Sequence, residues 1–461
     1  MSFSALDSGL LGPLFASEAM RAAFSDGARL AGMLRAEAAL AKASAEAGLA
    51  PPGLAGAIEA VAPGDLDLGA LGEGTALAGV PVIPFVSALR RRLPPDLEPA
   101  FHRGATTQDI ADTALVLQMR TGFDLIARDC AAVVAGLARL ARAHRATPCI
   151  GRTYGQHAAP ISFGAKAATW ALGIAEVADR LPEVRGRVLA ASLGGPVGTL
   201  GAFGAEAGAV AEGFARHLGL APEPVAWHTR RARIAEAGTW LALLLGALAK
   251  CAGDIAHLAS TEVGEVAEPF VPGRGGSSAM PHKRNPVSAT VILAAFGAAK
   301  GHAATLLDAM AAAHERPAGA WHAEWHALPQ LFGLASGALR EARTLAEGLE
   351  VDAGRMRRNL DLTHGLLFAD AAAAACVGSL GGARAHALVE RAAGEVRAGG
   401  RDLRTVLDAL LATLPEGAGI DLAPSFDLDR PVAAAAAATD RALARLPPDA
   451  AFRDGARPPC P

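Results

Sequence analysis

From Asp112 to Arg145 the apolar positions fall at Leu115, Met119, Ile126, Cys130, Val133 and Leu137, while Arg120, Arg128 and Arg142 lie off that stripe. The spacing of three, four and seven predicts one long amphipathic helix, on the order of 50 Å at about 1.5 Å per residue. A second helix is predicted over about Ile234 to Val263, with Trp240, Leu244, Leu248, Cys251, Ile255 and Leu258 on one stripe and Gly238, Ala242, Gly246 and Gly253 on another. Small residues let neighbouring helices approach closely, which places this helix centrally in a bundle. A third helix should open at Asn285-Pro286, since Asn caps well and Pro suits the first turn, and no further Pro follows before Ala313. Strand alternation is scarce, so the fold class is all-α. Proline-rich stretches and an irregular segment from Pro415 to Pro431 punctuate the helices. They suggest an N-terminal helical domain over 1 to 111, a central long-helix bundle over 112 to 350 and a C-terminal helical domain over 351 to 461.

A chain of 461 residues that is 51% hydrophobic and 19% charged can bury a large core. Its net charge of -3, with no basic run beyond Arg90 to Arg92, offers no footprint for nucleic acid. The first residues lack a basic stretch ahead of apolar ones, a poor secretory signal. The most hydrophobic stretch, Trp240 to Ala249, is too short for a bilayer, so no membrane span is expected. Five scattered cysteines without paired spacing argue against a disulfide framework or thiolate metal site and fit a reducing cytoplasm.

The densest chemistry lies between Gly273 and Pro286, where three glycines and the hydroxyls of Ser277 and Ser278 lead into Met280, Lys283, Asn285 and a helix start. Such a loop suits a negatively charged intermediate. Lys283, the Asn285 amide and free backbone N–H groups can face an oxyanion, and closure would exclude water. The bland alternative is a flexible linker with an ordinary Asn cap.

The eleven residues GSSAMPHKRNP resemble the signature loop of the fumarase and aspartase superfamily, whose members add to, or eliminate across, a bond beside a carboxylate. The resemblance implies Ser277 as catalytic serine and Lys283 and Asn285 as carboxylate-stabilising groups. HRGATTQDIADT, from His102, resembles the superfamily's first region and implies substrate roles for His102, Thr106, Thr107 and Gln108. Read locally, Thr106 and Asp109 make a capping box, and both readings can hold because a capped helix N-terminus is also an anion site. GRTYGQHAAPISFG, from Gly151, resembles the second region, with Thr153, Gln156 and His157 aligned. Across the superfamily each subunit has three helical domains, and four subunits join their long helices into one core, with active sites shared between chains. The resemblance therefore implies a homotetramer, and no cofactor or metal.

One departure is informative. Most superfamily lyases have His directly after the aligned Thr, and this chain has Tyr154. That histidine helps protonate a poor leaving group such as an amine or hydroxide. A carboxylate leaving group, with a reference pKa near 4, needs no proton. Loss of a carboxylate is the opening of a lactone, and further segments resemble the lactone-forming cycloisomerases of bacterial protocatechuate breakdown, which act on a small tricarboxylate. These include AWHTRRARIAEAG, HERPAGAWHAEWHALPQL and GLEVDAGRMRRNLDLTHGL. Arg233 and Arg316 are then carboxylate clamps. The structural alternative for Tyr154 is a buried aromatic, and for each arginine a solvated side chain. Two rival functions are a fumarate-releasing lyase, such as one acting on adenylosuccinate, and a silent helical scaffold. Tyr154 argues against the first and the intact loop against the second.

Two other patterns carry little. His322 and His326 flank Glu324 at helical spacing without a third zinc ligand. Gly194 to Gly204 is glycine-rich but lacks the preceding strand of a dinucleotide site.

Overall fold

The computed structural model describes residues 3–276, 279–280, 282–399 and 401–446. Helix α1, Asp26–Glu46, is capped by Ser25, whose side chain accepts from the Ala28 N–H. It lies against α2, Thr107–Ala143, which begins a little before the apolar stripe that predicted it. All six predicted stripe residues of α2 are buried. A two-stranded antiparallel hairpin follows, β1, Pro148–Thr153, and β2, Gln156–Ser162, leading into α3, Phe163–Ala178.

The rest of the central body is three long helices: α4, Ala232–Leu258, α5, Val287–Asp308, and α6, Ala320–Gly348. The predicted stripe of α4 is buried throughout, and Gly238 does what small residues were expected to do. A Cβ there would lie 2.2 Å from Leu306, so only glycine lets α4 and α5 meet this closely. Ion pairs fix the directions of the helices. Arg231, before α4, binds Asp112 in the second turn of α2, so α2 and α4 start at the same end. Arg152, in the hairpin beyond α2, binds Glu265 beyond α4, so both finish at the other end. Helix α5 runs back, bringing Arg316 to Thr106, and α6 returns again.

A short ladder, β3, Val266–Ala267, with β4, Glu350–Val351, closes the far end of the bundle. Beyond it, α7, Ala369–Leu380, α8, Gly382–Gly399, and α9, Leu403–Leu411, wrap a second apolar core from Ala372 to Leu422. The alanine-rich run 433–438 lies in α10, Asp429–Arg445, which returns to pack on α3 and β2.

Over an 18-residue window, longer than the Trp240–Ala249 stretch, α4 and α5 are apolar and long enough to cross a membrane by length and composition, with mean hydropathies of 1.5 and 1.4. Half of the α4 window is instead buried inside this fold, against α3, α5 and α6. The exposed face of α5 carries Leu293, Ala294, Gly297, Ala298, Gly301, Ala304 and Leu307, with Lys300 and Asp308 as its only charges.

Candidate active site

At the start of α2 the structure gathers four of the residues singled out in the sequence. Arg316, on the loop between α5 and α6, donates from Nη2 to Thr106 Oγ1 at 2.8 Å and from Nε to Gln108 Oε1 at 3.2 Å. Thr107, half-buried, is the first residue of the helix. Gln108 is buried and donates to the His228 carbonyl at 2.9 Å and to Asp112 at 3.2 Å. The Asp109 carboxylate accepts from the Thr106 N–H at 2.9 Å, as a capping box requires. It also accepts from the Gly194 and Gly195 N–H groups, at 2.8 and 2.9 Å, and lies 2.6 Å from His228 Nε2. The glycine-rich turn thus serves to bring two backbone amides onto a buried carboxylate.

Beneath this cluster is a buried ionic network that no motif announced. The Arg231 guanidinium, 2% exposed, binds Asp112 at 2.7 and 3.2 Å and Glu324 at 2.9 Å, and lies 4.8 Å over the Trp227 ring. Trp321 Nε1 donates to Asp112 at 2.9 Å. Burial alone would lower the Arg231 pKa, but Asp112 and Glu324 outweigh it and raise it. Glu324 shifts upward because burial of its carboxyl outweighs the pull of Arg231. The WHAEWH pattern is thereby explained by its acidic member. His322 Nε2 meets the Gly79 carbonyl at 3.0 Å. Arg233, expected as a clamp, pairs with Glu223 at 2.9 Å, and its guanidinium lies 4.8 Å over the Trp227 ring. In the helical turn at 231–233 it is Arg231, two residues earlier, that turns inward.

The second region forms the hairpin, which sequence pattern did not foresee. Tyr154 and Gly155 both take left-handed backbone angles, φ 51° and 77°, making the tight two-residue turn that suits a hairpin's twist. Thr153 and Gln156 pair across it and are exposed, and Tyr154 at the tip is fully exposed in the single chain, outside that chain's own core. The base is rigid: Cys149 and Ile150 are buried, and burial pushes the Cys149 thiol up to about 12. Arg152 grips the buried Glu265 carboxylate with two bonds, 3.1 and 2.6 Å, and Asn359 donates to the same carboxylate at 2.9 Å. His157 has no partner for its buried Nδ1 among the described residues, and burial, aided by the Arg152 charge, lowers its pKa.

Ser277 and Ser278 lie outside the described residues. Met280, Lys283 and Asn285 are exposed on the loop. The expectation of free backbone N–H groups at the following helix is corrected. The Glu268 carboxylate accepts from both Ser288 and Ala289 N–H groups, each at 2.9 Å, and so caps α5 in place of Asn285. The Asn285 N–H donates to Gly275, and the first helical residue is Val287. The start of this helix therefore offers fewer free N–H donors than the sequence suggests, because Glu268 already takes two of them.

His102, with backbone φ 57°, places Nδ1 2.6 Å from the buried carboxylate of Glu37 on α1. Within one chain the three regions are split. Thr106, Gln108 and Arg316 sit at one end of α2. The hairpin begins beyond its other end, about 55 Å away for 37 residues. The loop shares the hairpin's end, since α5, 22 residues and about 33 Å long, separates Val287 from the approach to Arg316.

A fold of long helices carrying these three regions has known relatives. The family model described as Lyase matches residues 15–301, and the chain belongs to this family, within the fumarase and aspartase superfamily. A 3-carboxy-cis,cis-muconate cycloisomerase from Pseudomonas putida is 46% identical, over 85% of this chain and 94% of its own length. A nitrosuccinate lyase from Streptomyces davaonensis is 44% identical over 95% of both chains. The crystal structure of the 3-carboxy-cis,cis-muconate lactonizing enzyme from Pseudomonas putida superposes with a TM-score of 0.89 at 43% identity, covering 96% of this chain and all of that one.

Proposed function

We propose that this protein is a cytoplasmic, cofactor-independent cycloisomerase that closes 3-carboxy-cis,cis-muconate to a carboxymuconolactone, with 4-carboxymuconolactone as the expected product, and reopens it. The observation that carries the reading is the 46% identity to a cycloisomerase over 94% of that relative's length. A substrate carboxylate attacks the diene, and the electron pair displaced from the double bond delocalises into the neighbouring carboxylate. Lys283 and Asn285 stabilise that enolate-like charge. Ser277 delivers the proton that completes the lactone, and in reverse removes it. Thr106, Thr107, Gln108, His102 and Arg316 hold the carboxylates, and Thr153, Tyr154, Gln156 and His157 position the attacking group. Ser278 and Met280 line the substrate from the loop. Arg233, which pairs with Glu223 and lies over the Trp227 ring, joins Arg316 as a carboxylate clamp.

The active site is assembled between subunits of a homotetramer. The separation of Thr106 from the hairpin along α2 supports this, because residues some 50 Å apart in one chain can meet only across chains. So does the nearly uncharged outer face of α5, which a second copy would cover.

A second reading has a specific observation in its favour, the 44% identity over 95% of both chains to a nitrosuccinate lyase. Nitrite, like carboxylate, leaves without a proton, so Tyr154 is compatible with both reactions. One assay separates them. Loss of the conjugated-diene ultraviolet band with 3-carboxy-cis,cis-muconate supports the cycloisomerase, and release of nitrite and fumarate from nitrosuccinate supports elimination. Fumarate from adenylosuccinate would revive the amine-releasing alternative, and silence toward all three would leave the scaffold.

A further inference from the structure

Glu37 belongs to none of the motifs, yet its side chain is fully buried in the middle of α1 among Ala36, Ala38 and Leu40. One oxygen lies 2.6 Å from His102 Nδ1, and the other, Oε2, has no partner among the described residues. A buried carboxyl with half its acceptors unused is costly to retain, so the contact it does make must matter. The His102 backbone is also in the left-handed region, which few non-glycine residues occupy. With Nδ1 committed to Glu37, Nε2 is the ring nitrogen left for a ligand, and the side chain retains 15% exposure. His102 lies four residues before Thr106, the partner of Arg316.

We propose that Glu37 is a positioning residue that holds His102 as an imidazolium with Nε2–H presented to substrate, so that His102 binds a carboxylate and does not act as a base. This rests on the reading of Thr106, Gln108 and Arg316 as the carboxylate-binding end. The charged groups around the ring agree with it. Burial works to lower the His102 pKa and Arg90 adds to that, but Glu37, supported by Asp109, outweighs both and raises it. A second cation at the end of α2 that carries Arg316 suits a substrate with three carboxylates, and a carboxylate–imidazole pair fixes both ring orientation and proton position.

The test uses the full chain and the isosteric Glu37→Gln variant, with Glu37→Asp as the conservative control. Histidine C2–H deuterium exchange, read by mass spectrometry, follows His102 directly. In Glu37→Gln its titration should fall by about one pH unit or more while that of His157 stays in place. In parallel, KM for 3-carboxy-cis,cis-muconate should rise about tenfold at neutral pH with a smaller change in kcat. That KM penalty should shrink at acid pH, where His102 regains its proton, and Glu37→Asp should recover part of it. An unmoved His102 titration in Glu37→Gln overturns the proposal, as does a fall in kcat at constant KM, which would make His102 a base. Should the wild-type protein leave this substrate untouched, the functional reading fails, while the exchange measurement still decides whether Glu37 governs His102.

Discussion

The two ends of α2 handle polar chemistry in opposite ways. At its start, Thr106, Gln108, Asp109, Asp112 and Arg231 are tied into one another and into Arg316, His228 and Glu324, largely out of solvent. Beyond its end, Thr153, Tyr154 and Gln156 stand exposed at the tip of a hairpin, just past Arg152 and its pairing with the buried Glu265. The histidines follow suit: His102 is pushed toward the charged form by Glu37, and His157 toward the neutral form by burial and Arg152. Two titratable groups driven apart in this way are suited to opposite tasks, one to holding an anion and the other to accepting a proton. One end is closed within the chain, and the other stands out from it.

The contrast can be broken most severely at the loop that serves the arm's end. Ser277→Ala should cut turnover by on the order of a hundredfold or more with little change in melting temperature, and near-normal turnover would remove Ser277 from the proton-donor role. At the finished end the damage should be to folding. Arg231→Leu leaves Asp112 and Glu324 buried without their cation and should cost about 3–5 kcal/mol, read from denaturant unfolding. Mixing sharpens the picture further. An inactive Arg316→Ala chain co-refolded with an inactive Lys283→Met chain should recover activity in hybrid oligomers, since the two lesions lie at opposite ends of every chain; no recovery would place each site within one subunit.

Smaller effects should follow from pH. The raised pKa of His102 means that its pairing with Glu37 stabilises the fold fully below the ordinary histidine value and is lost as pH rises through the raised one. The melting-temperature gap between the wild-type protein and Glu37→Gln should therefore close on the alkaline side. For His157 the sign reverses, because its depressed pKa penalises the folded state as pH falls below the ordinary value. His157→Gln should accordingly hold its melting temperature slightly better in acid than the wild-type protein, and a greater acid sensitivity would argue against a neutral His157.

How much of this was legible in sequence differs with the range of the interaction. The stripes of α2 and α4 were readable because helical periodicity is local and repeated over about five or six turns. The three motif segments were readable as resemblance. The hairpin was not, since its strands carry Gly151, Pro160 and two alanines in place of β-branched alternation, and the clue was the short Tyr154-Gly155 turn. The ionic partners were invisible for another reason. Asp112 and Arg231 are 119 residues apart and His102 and Glu37 are 65 apart, so only the folded chain introduces them. Asp109 was legible as a cap, but its grip on Gly194, Gly195 and His228 was not. The misjudged start of α5 is of the same kind, because the capping group, Glu268, approaches from well before the helix.

The exposed hairpin tip has a practical side. The chain contains a single tyrosine, and it is Tyr154. Nitration or any other tyrosine-selective label is thus a one-position reaction on this molecule, aimed at the tip of the arm. Its rate in dilute, dissociated protein against that in the assembled state would report directly, without mutation or tag, whether another chain receives the arm.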